Sequence, residues 1–191
     1  MADTQQILYL TIDDYNRLPE GARTELIKGR FYNMAAPNRE HQRISGELFF
    51  RIKETILRHG GDCEVYAAPF DVFLEDHTDA DEKHWADTVV QPDISVICDK
   101  DKLNRQGCKG APDWVIEIVS PGDAAHDYDD KLHLYRANGV REYWIVDPAH
   151  ERTLVYDFEG AGDNFVTIYG FSDTVPVRIY DKFEIDFAAF T

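Results

Sequence analysis

Three observations predict a mixed α/β (α+β) domain whose central sheet is flanked by helices. Short runs rich in β-branched and aromatic residues, fenced by Pro or Gly, recur along the chain as strands do. Two of these runs each enclose one acid: Val-Val-Gln-Pro-Asp-Ile-Ser-Val-Ile-Cys holds Asp93, and Ala-Pro-Asp-Trp-Val-Ile-Glu-Ile-Val-Ser holds Glu117. Two further segments, residues 37–59 and 123–138, space their apolar residues three and four apart, as helices do. The 191 residues form one domain, 1–191, without repeat or linker, and suffice for a sizeable core.

Taken in order, residues 11–18 read as a short helix capped by Thr11 and stopped by Pro19. Residues 24–34 read as a hairpin turning at Lys28-Gly29, with Glu25 near the start of its first strand. The helix over 37–59 carries Ile44, Leu48, Ile52 and Ile56 on one stripe, with His41 a turn ahead, and ends at Gly60-Gly61. Residues 64–75 contain Pro69, which predicts a strand near an edge or with a bulge. The acidic stretch 77–87 reads as a surface loop. After the two acid-bearing strands come the helix over 123–138 and a strand over 142–148. Three further strands are expected over 153–158, 164–169 and 177–187.

Bulk properties narrow the function. The formal charge of −16 repels nucleic acid at long range, so any nucleic-acid contact needs a local basic face. Two such places exist: the 37–59 helix, with Arg39 and Arg43 among its cations, and residues 99–110, with Lys102, Arg105 and Lys109. Three cysteines with no Cys-x-x-Cys pair, and no leader sequence, predict a reducing, cytoplasmic setting. No apolar run reaches bilayer length. Zinc-ligand spacing, phosphate loops and dinucleotide fingerprints are absent.

A carboxylate inside a half-buried strand needs a cation or several donors to meet it. Alternation puts Glu117 with Val115 and Val119 on one face of its strand, opposite Trp114, Ile116 and Ile118. Glu117 and Asp93 on neighbouring strands would share a hard divalent ion, with Lys131 of the following helix reaching toward them. Taken alone, Lys131 is the i,i+4 salt-bridge partner of Asp127. Alone too, His41 reads as a helix-face histidine and Glu25 as a surface strand acid; beside the two acids both are candidate supporting groups. Acid, acid and lysine on strand, strand and helix form a metal-dependent phosphodiesterase pattern.

These residues resemble a known family. Gln-Pro-Asp-Ile-Ser-Val, then Gly-Ala-Pro-Asp-Trp-Val-Ile-Glu-Ile-Val-Ser-Pro, then Asp127, Lys131 and Tyr135, then Gly-Val-Arg-Glu-Tyr-Trp-Ile-Val-Asp-Pro are similar to the Uma family of restriction-type endonucleases, within the PD-(D/E)XK superfamily. The likeness extends through Glu25 and His41 to the last strand. It implies a restriction-endonuclease-like mixed sheet with additional C-terminal strands, and Mg²⁺ (or Mn²⁺) held by Asp93 and Glu117. Val119 stands where the superfamily usually has its lysine, and Lys131 matches the helix lysine of the Uma family. The expectation is a metal-dependent DNA endonuclease, homodimeric because two strands need two sites. A catalytically silent nuclease-like binding module and a hydrolase of small phosphorylated substrates are the alternatives.

Overall fold

The computed structural model describes residues 9–19, 21–74, 88–120, 130–160 and 165–190. Two prolines shape it. Strand β3 (Glu64–Ala67) runs past Pro69 into β4 (Val72–Leu74), and β5 (Thr88–Val90) runs past Pro92 into β6 (Ile94–Ile97). The two paths pair antiparallel on both sides of the break, but Ala67 faces Ile94 whereas Val72 faces Val90. Residues 68–71 therefore oppose only 91–93: one extra residue, the bulge expected near Pro69. Proline has no N–H to give a ladder, so each path leaves one sheet there and enters another. The runs read as single strands over 64–75 and 89–98 are thus each divided between two sheets. Asp93 stands at the corner before β6 rather than in mid-strand. The Ala68 N–H donates to the Asp93 carbonyl at 3.0 Å and fastens the two corners together.

On one side of the corners is a five-stranded sheet ordered β2-β1-β5-β4-β7, from β1 (Thr24–Ile27), β2 (Arg30–Asn33) and β7 (Cys108–Lys109). The β1–β2 hairpin turns at Lys28-Gly29 as expected, both residues with positive φ. On the other side is a six-stranded sheet ordered β11-β10-β9-β8-β6-β3. It adds β8 (Trp114–Ile118), β9 (Glu142–Asp147), β10 (Arg152–Asp157) and β11 (Val166–Gly170). Its β8–β9 pair is parallel and its other pairs are antiparallel, so the fold is mixed α+β.

The six-stranded sheet is covered on both faces. Trp114, Ile116 and Ile118 pack against helix α2 (Arg39–His59) through Ile44, Leu48, Ile52 and Ile56. Asn38 caps that helix by accepting from the His41 N–H, and Gly60 ends it in the left-handed conformation. Val115, Tyr143 and Ile145 meet Leu134 and Tyr135 of the helix whose described part spans Lys131–Asn138, here α3. The N-terminal helix, α1 (Ile12–Tyr15), has the Thr11–Asp14 capping box but stops at Asn16 instead of reaching residue 18. The loop over 77–87 and the part of the second helix that carries Asp127 lie outside the described residues. No helix among the described residues is long and apolar enough to cross a membrane.

Two expectations are overturned. Residues 177–187 do not form one strand: β12 (Thr174–Pro176) and β13 (Glu184–Asp186) make a hairpin around the intervening loop. The cause is Glu142, fully buried on β9. Its Oε2 accepts from the Arg178 and Ile179 N–H groups at 2.7 and 2.9 Å, diverting donors that a strand would need. The cysteines are not three thiols either. Cys63 and Cys98 are disulfide-bonded across β3 and β6, one pair beyond Glu64–Ile97, while Cys108 is a buried thiol. Cysteine usage therefore does not support a reducing compartment.

Glu142 sets a pH dependence. Burial pushes its carboxyl up to about 7 from an ordinary 4.5, against the opposing pull of the Ile179, Trp144 and Arg178 N–H donors. Because the folded value is the higher one, its contribution to stability is full below the unfolded pKa and lost as pH rises through 7. The difference in unfolding free energy between wild type and Glu142→Gln should fall by on the order of 3 kcal/mol between pH 4.5 and 7.5. Urea titrations across that window measure it, and a pH-independent difference would contradict the assignment.

Candidate functional site

Where the two sheets diverge, an open cavity of about 180 Å³ collects the sequence-predicted acids and the lysine. Asp93 reaches it from the corner before β6, Glu117 from the end of β8, Glu25 from β1, His41 from α2 and Lys131 from the start of α3. Strand alternation aims Glu117 to the α3 side of the sheet, as its neighbours Val115 and Val119 require.

The central contact is ionic and buried. Lys131 Nζ lies 2.9 Å from Glu117 Oε1 and 3.1 Å from Glu25 Oε1, with all three side chains about 4% exposed or less. The Tyr135 hydroxyl, one helical turn after Lys131, donates to the same Glu117 Oε1 at 2.7 Å. Burial, then the charges of Glu117 and Glu25, push that phenol well above its ordinary range, so it remains a donor. The Gln91 N–H donates to Glu25 Oε1 at 2.8 Å. Glu25 is thus a direct partner of Lys131 rather than a surface strand acid.

Asp93 is held differently. Its Oδ2 lies 3.0 Å from His41 Nε2 and accepts from the Ile118 N–H at 2.8 Å. Both contacts fall on one oxygen, Oδ1 has no hydrogen-bond partner among the described residues, and Asp93 lines the cavity. His41 Nδ1 is buried without a partner, so the ring meets the site through Nε2 alone.

The donor set fits a small hard cation. Asp93, Glu117 and the Ile118 backbone line one cavity and offer oxygen atoms, the ligand type a hard cation takes. Among the described residues no three acidic, imidazole or thiol groups converge as a ready-made cluster. Two carboxylates suit Mg²⁺ or Mn²⁺, since Mg²⁺ keeps several of its waters.

The predicted basic residues are placed unequally. Arg39 and Arg43 are exposed on the first turns of α2, beside Asn38 and within two residues of His41. Lys102 is committed to the Ala111 carbonyl at 2.8 Å. Arg105 and Lys109 are exposed around β7, at the edge of the five-stranded sheet away from β2. Sequence reasoning missed Arg23, Gln91 and the role of Tyr135. Only Tyr135 carried a signal, the i,i+4 spacing from Lys131.

The fold and its comparison set the class. The crystal structure described as a "putative nuclease belonging to DUF820" from Anabaena variabilis matches with a TM-score of 0.74 over 95% of this chain and 97% of that one, at 19% identity. This chain therefore has that restriction-endonuclease-like α+β fold. It belongs to the Uma2 family, described as "Putative restriction endonuclease", whose model matches residues 12–187. An uncharacterized protein, slr1290, of Synechocystis sp. is 26% identical over 158 residues, covering 81% of this chain and 76% of that protein.

The buried triplet makes a stability claim. Replacing Lys131 by Met leaves two carboxylates without their shared cation in a desolvated site, and should cost roughly 3 kcal/mol in unfolding free energy. An exposed salt bridge would cost under about 1 kcal/mol. Urea unfolding in EDTA distinguishes them, and the smaller loss would show that Lys131 is not the counter-ion of the pair.

Proposed function

We propose that the chain is a Mg²⁺- or Mn²⁺-dependent endonuclease that hydrolyses DNA phosphodiester bonds. The observation that carries the reading is the convergence of Asp93, Glu117 and a fully buried Lys131 on one open cavity, in a chain of a restriction-endonuclease family. Asp93, Glu117 and the Ile118 carbonyl would hold the ion, which when bound supplies a Lewis acid for the phosphate and lowers the pKa of a water.

The chain's own residues do the rest. Lys131 is held by Glu25 and Glu117, so its ammonium is preorganised beside the phosphate, where it orients the attacking water and offsets charge that grows on the oxygens. Glu25 gives Lys131 a second carboxylate to rest on, which would keep the ammonium in the cavity if Glu117 held the ion. Tyr135 fixes Glu117, His41 fixes Asp93, and Asp127, four residues before Lys131 in the sequence, is a candidate to steady it. Arg39 and Arg43 at the helix start would take the DNA backbone, with Lys102, Arg105 and Lys109 a more distant basic surface. A homodimer would supply one site per strand, and DNA as substrate sets the cytoplasm as the working compartment.

One observation favours the second reading, a catalytically silent nuclease-like module: Lys131 already neutralises Glu117. Supercoiled plasmid with Mg²⁺ or Mn²⁺ separates the two. Wild type should nick or linearise it, Glu117→Gln should abolish cleavage with the fold intact, and Lys131→Met should slow it about 100-fold. Cleavage by Glu117→Gln at the wild-type rate would remove the carboxylate from the site. An inert wild type would favour the silent module.

A further inference from the structure

We infer that Arg23 is a phosphate-binding residue that grips the nucleic-acid backbone beside the phosphodiester in the acid cavity. The inference rests on the nuclease reading. Arg23 precedes β1 by one residue, and its carbonyl accepts from the Met34 N–H at 2.8 Å, which extends the β1–β2 ladder by one pair. Strand alternation then puts its side chain on the same face as Glu25, two residues on, the face that reaches Lys131.

Three adjoining cavities meet at this residue. Arg23 lines the acid cavity with Asp93 and Glu117. It lines a second that runs along α2 past Gln42, Ser45 and Gly46 and shares Asp93. It also lines a third, about 330 Å³, walled by Tyr15, Asp71 and Gln91. Gln91 joins the third to the first, since its side chain donates to Asp71 Oδ1 at 2.8 Å while its N–H holds Glu25. A strand whose phosphate enters the acid cavity can continue along either of the other two, and Arg23 borders both.

Its charge is uncommitted. In a chain with 36 acidic and 20 basic residues, Arg17, Arg51, Arg58 and Arg141 are each tied up in an ion pair. The exposed Arg23 guanidinium has no ion pair or side-chain hydrogen bond among the described residues, although it shares its cavity with Glu25, Asp93 and Glu117. A planar guanidinium suits the paired oxygens of a phosphodiester better than a lysine would. It also supplies the local positive charge that a chain of net charge −16 needs for nucleic acid.

The test is oligonucleotide binding by the full chain in EDTA, by fluorescence anisotropy over a range of salt. Arg23→Ala should weaken binding about tenfold and reduce the slope of log K against log salt by about 1, with Arg23→Lys between. Replacing single phosphates by methylphosphonates should weaken wild type at one linkage next to the cleaved one, and leave Arg23→Ala indifferent there. Binding, slope and methylphosphonate profile all unchanged in Arg23→Ala would overturn the assignment while leaving the nuclease reading in place. A wild type that binds no oligonucleotide at low salt would overturn both.

Discussion

The site depends on one ammonium group placed between two buried carboxylates. Glu117 and Glu25 come from strands of different sheets, and desolvation makes each costly unless a cation meets it. Lys131 meets both, and in doing so fixes the start of α3 against the end of β8 and the β1–β2 hairpin. The pair is weak evidence for stability as such, since a desolvated ion pair often only breaks even with apolar packing. What it secures is position. Three side chains from three elements are held within hydrogen-bond distance on the wall of a cavity that also holds Asp93.

The architecture exists to make that meeting possible. The corners at Pro69 and Pro92 pass two strands from one sheet to the other, and the site opens where the sheets part. Asp93 is the corner residue itself, pinned through Oδ2 by the Ile118 N–H of the strand that carries Glu117. Because one oxygen takes both protein contacts, the other is left for an incoming group.

Much of this was legible in the sequence. Acids among β-branched residues at 93 and 117, helical spacing over 37–59, and Lys-Gly at a hairpin turn are local signals, and local physics determines them. The faces of β8 followed from alternation alone. What could not be read was non-local. Pro92 signalled a break, but not that the chain changes sheets there. Taken alone Lys131 reads as a helix-surface partner of Asp127, and beside the two acids as reaching toward them, but its pairing with Glu25, over a hundred residues upstream, is not local. Glu142 looked like one more strand acid, and nothing local showed that it would capture the N–H groups of Arg178 and Ile179. The bond between Cys63 and Cys98 depends on strand register, which the cysteine count does not contain. Arg23 lacked any pattern, and only the meeting of three cavities gives it meaning.

The central claim is that Asp93 and Glu117 form a site for a divalent ion beside a lysine that acts on phosphate. Titration of Mn²⁺ into the chain, with the free ion followed by electron paramagnetic resonance, tests it most directly, alone and with a bound phosphorothioate oligonucleotide. The account predicts a saturable site on wild type that tightens with oligonucleotide, is lost in Asp93→Asn, and survives unchanged or tighter in Lys131→Met. Wild type and Asp93→Asn taking up Mn²⁺ equally, or neither taking it up even with the oligonucleotide bound, would contradict it.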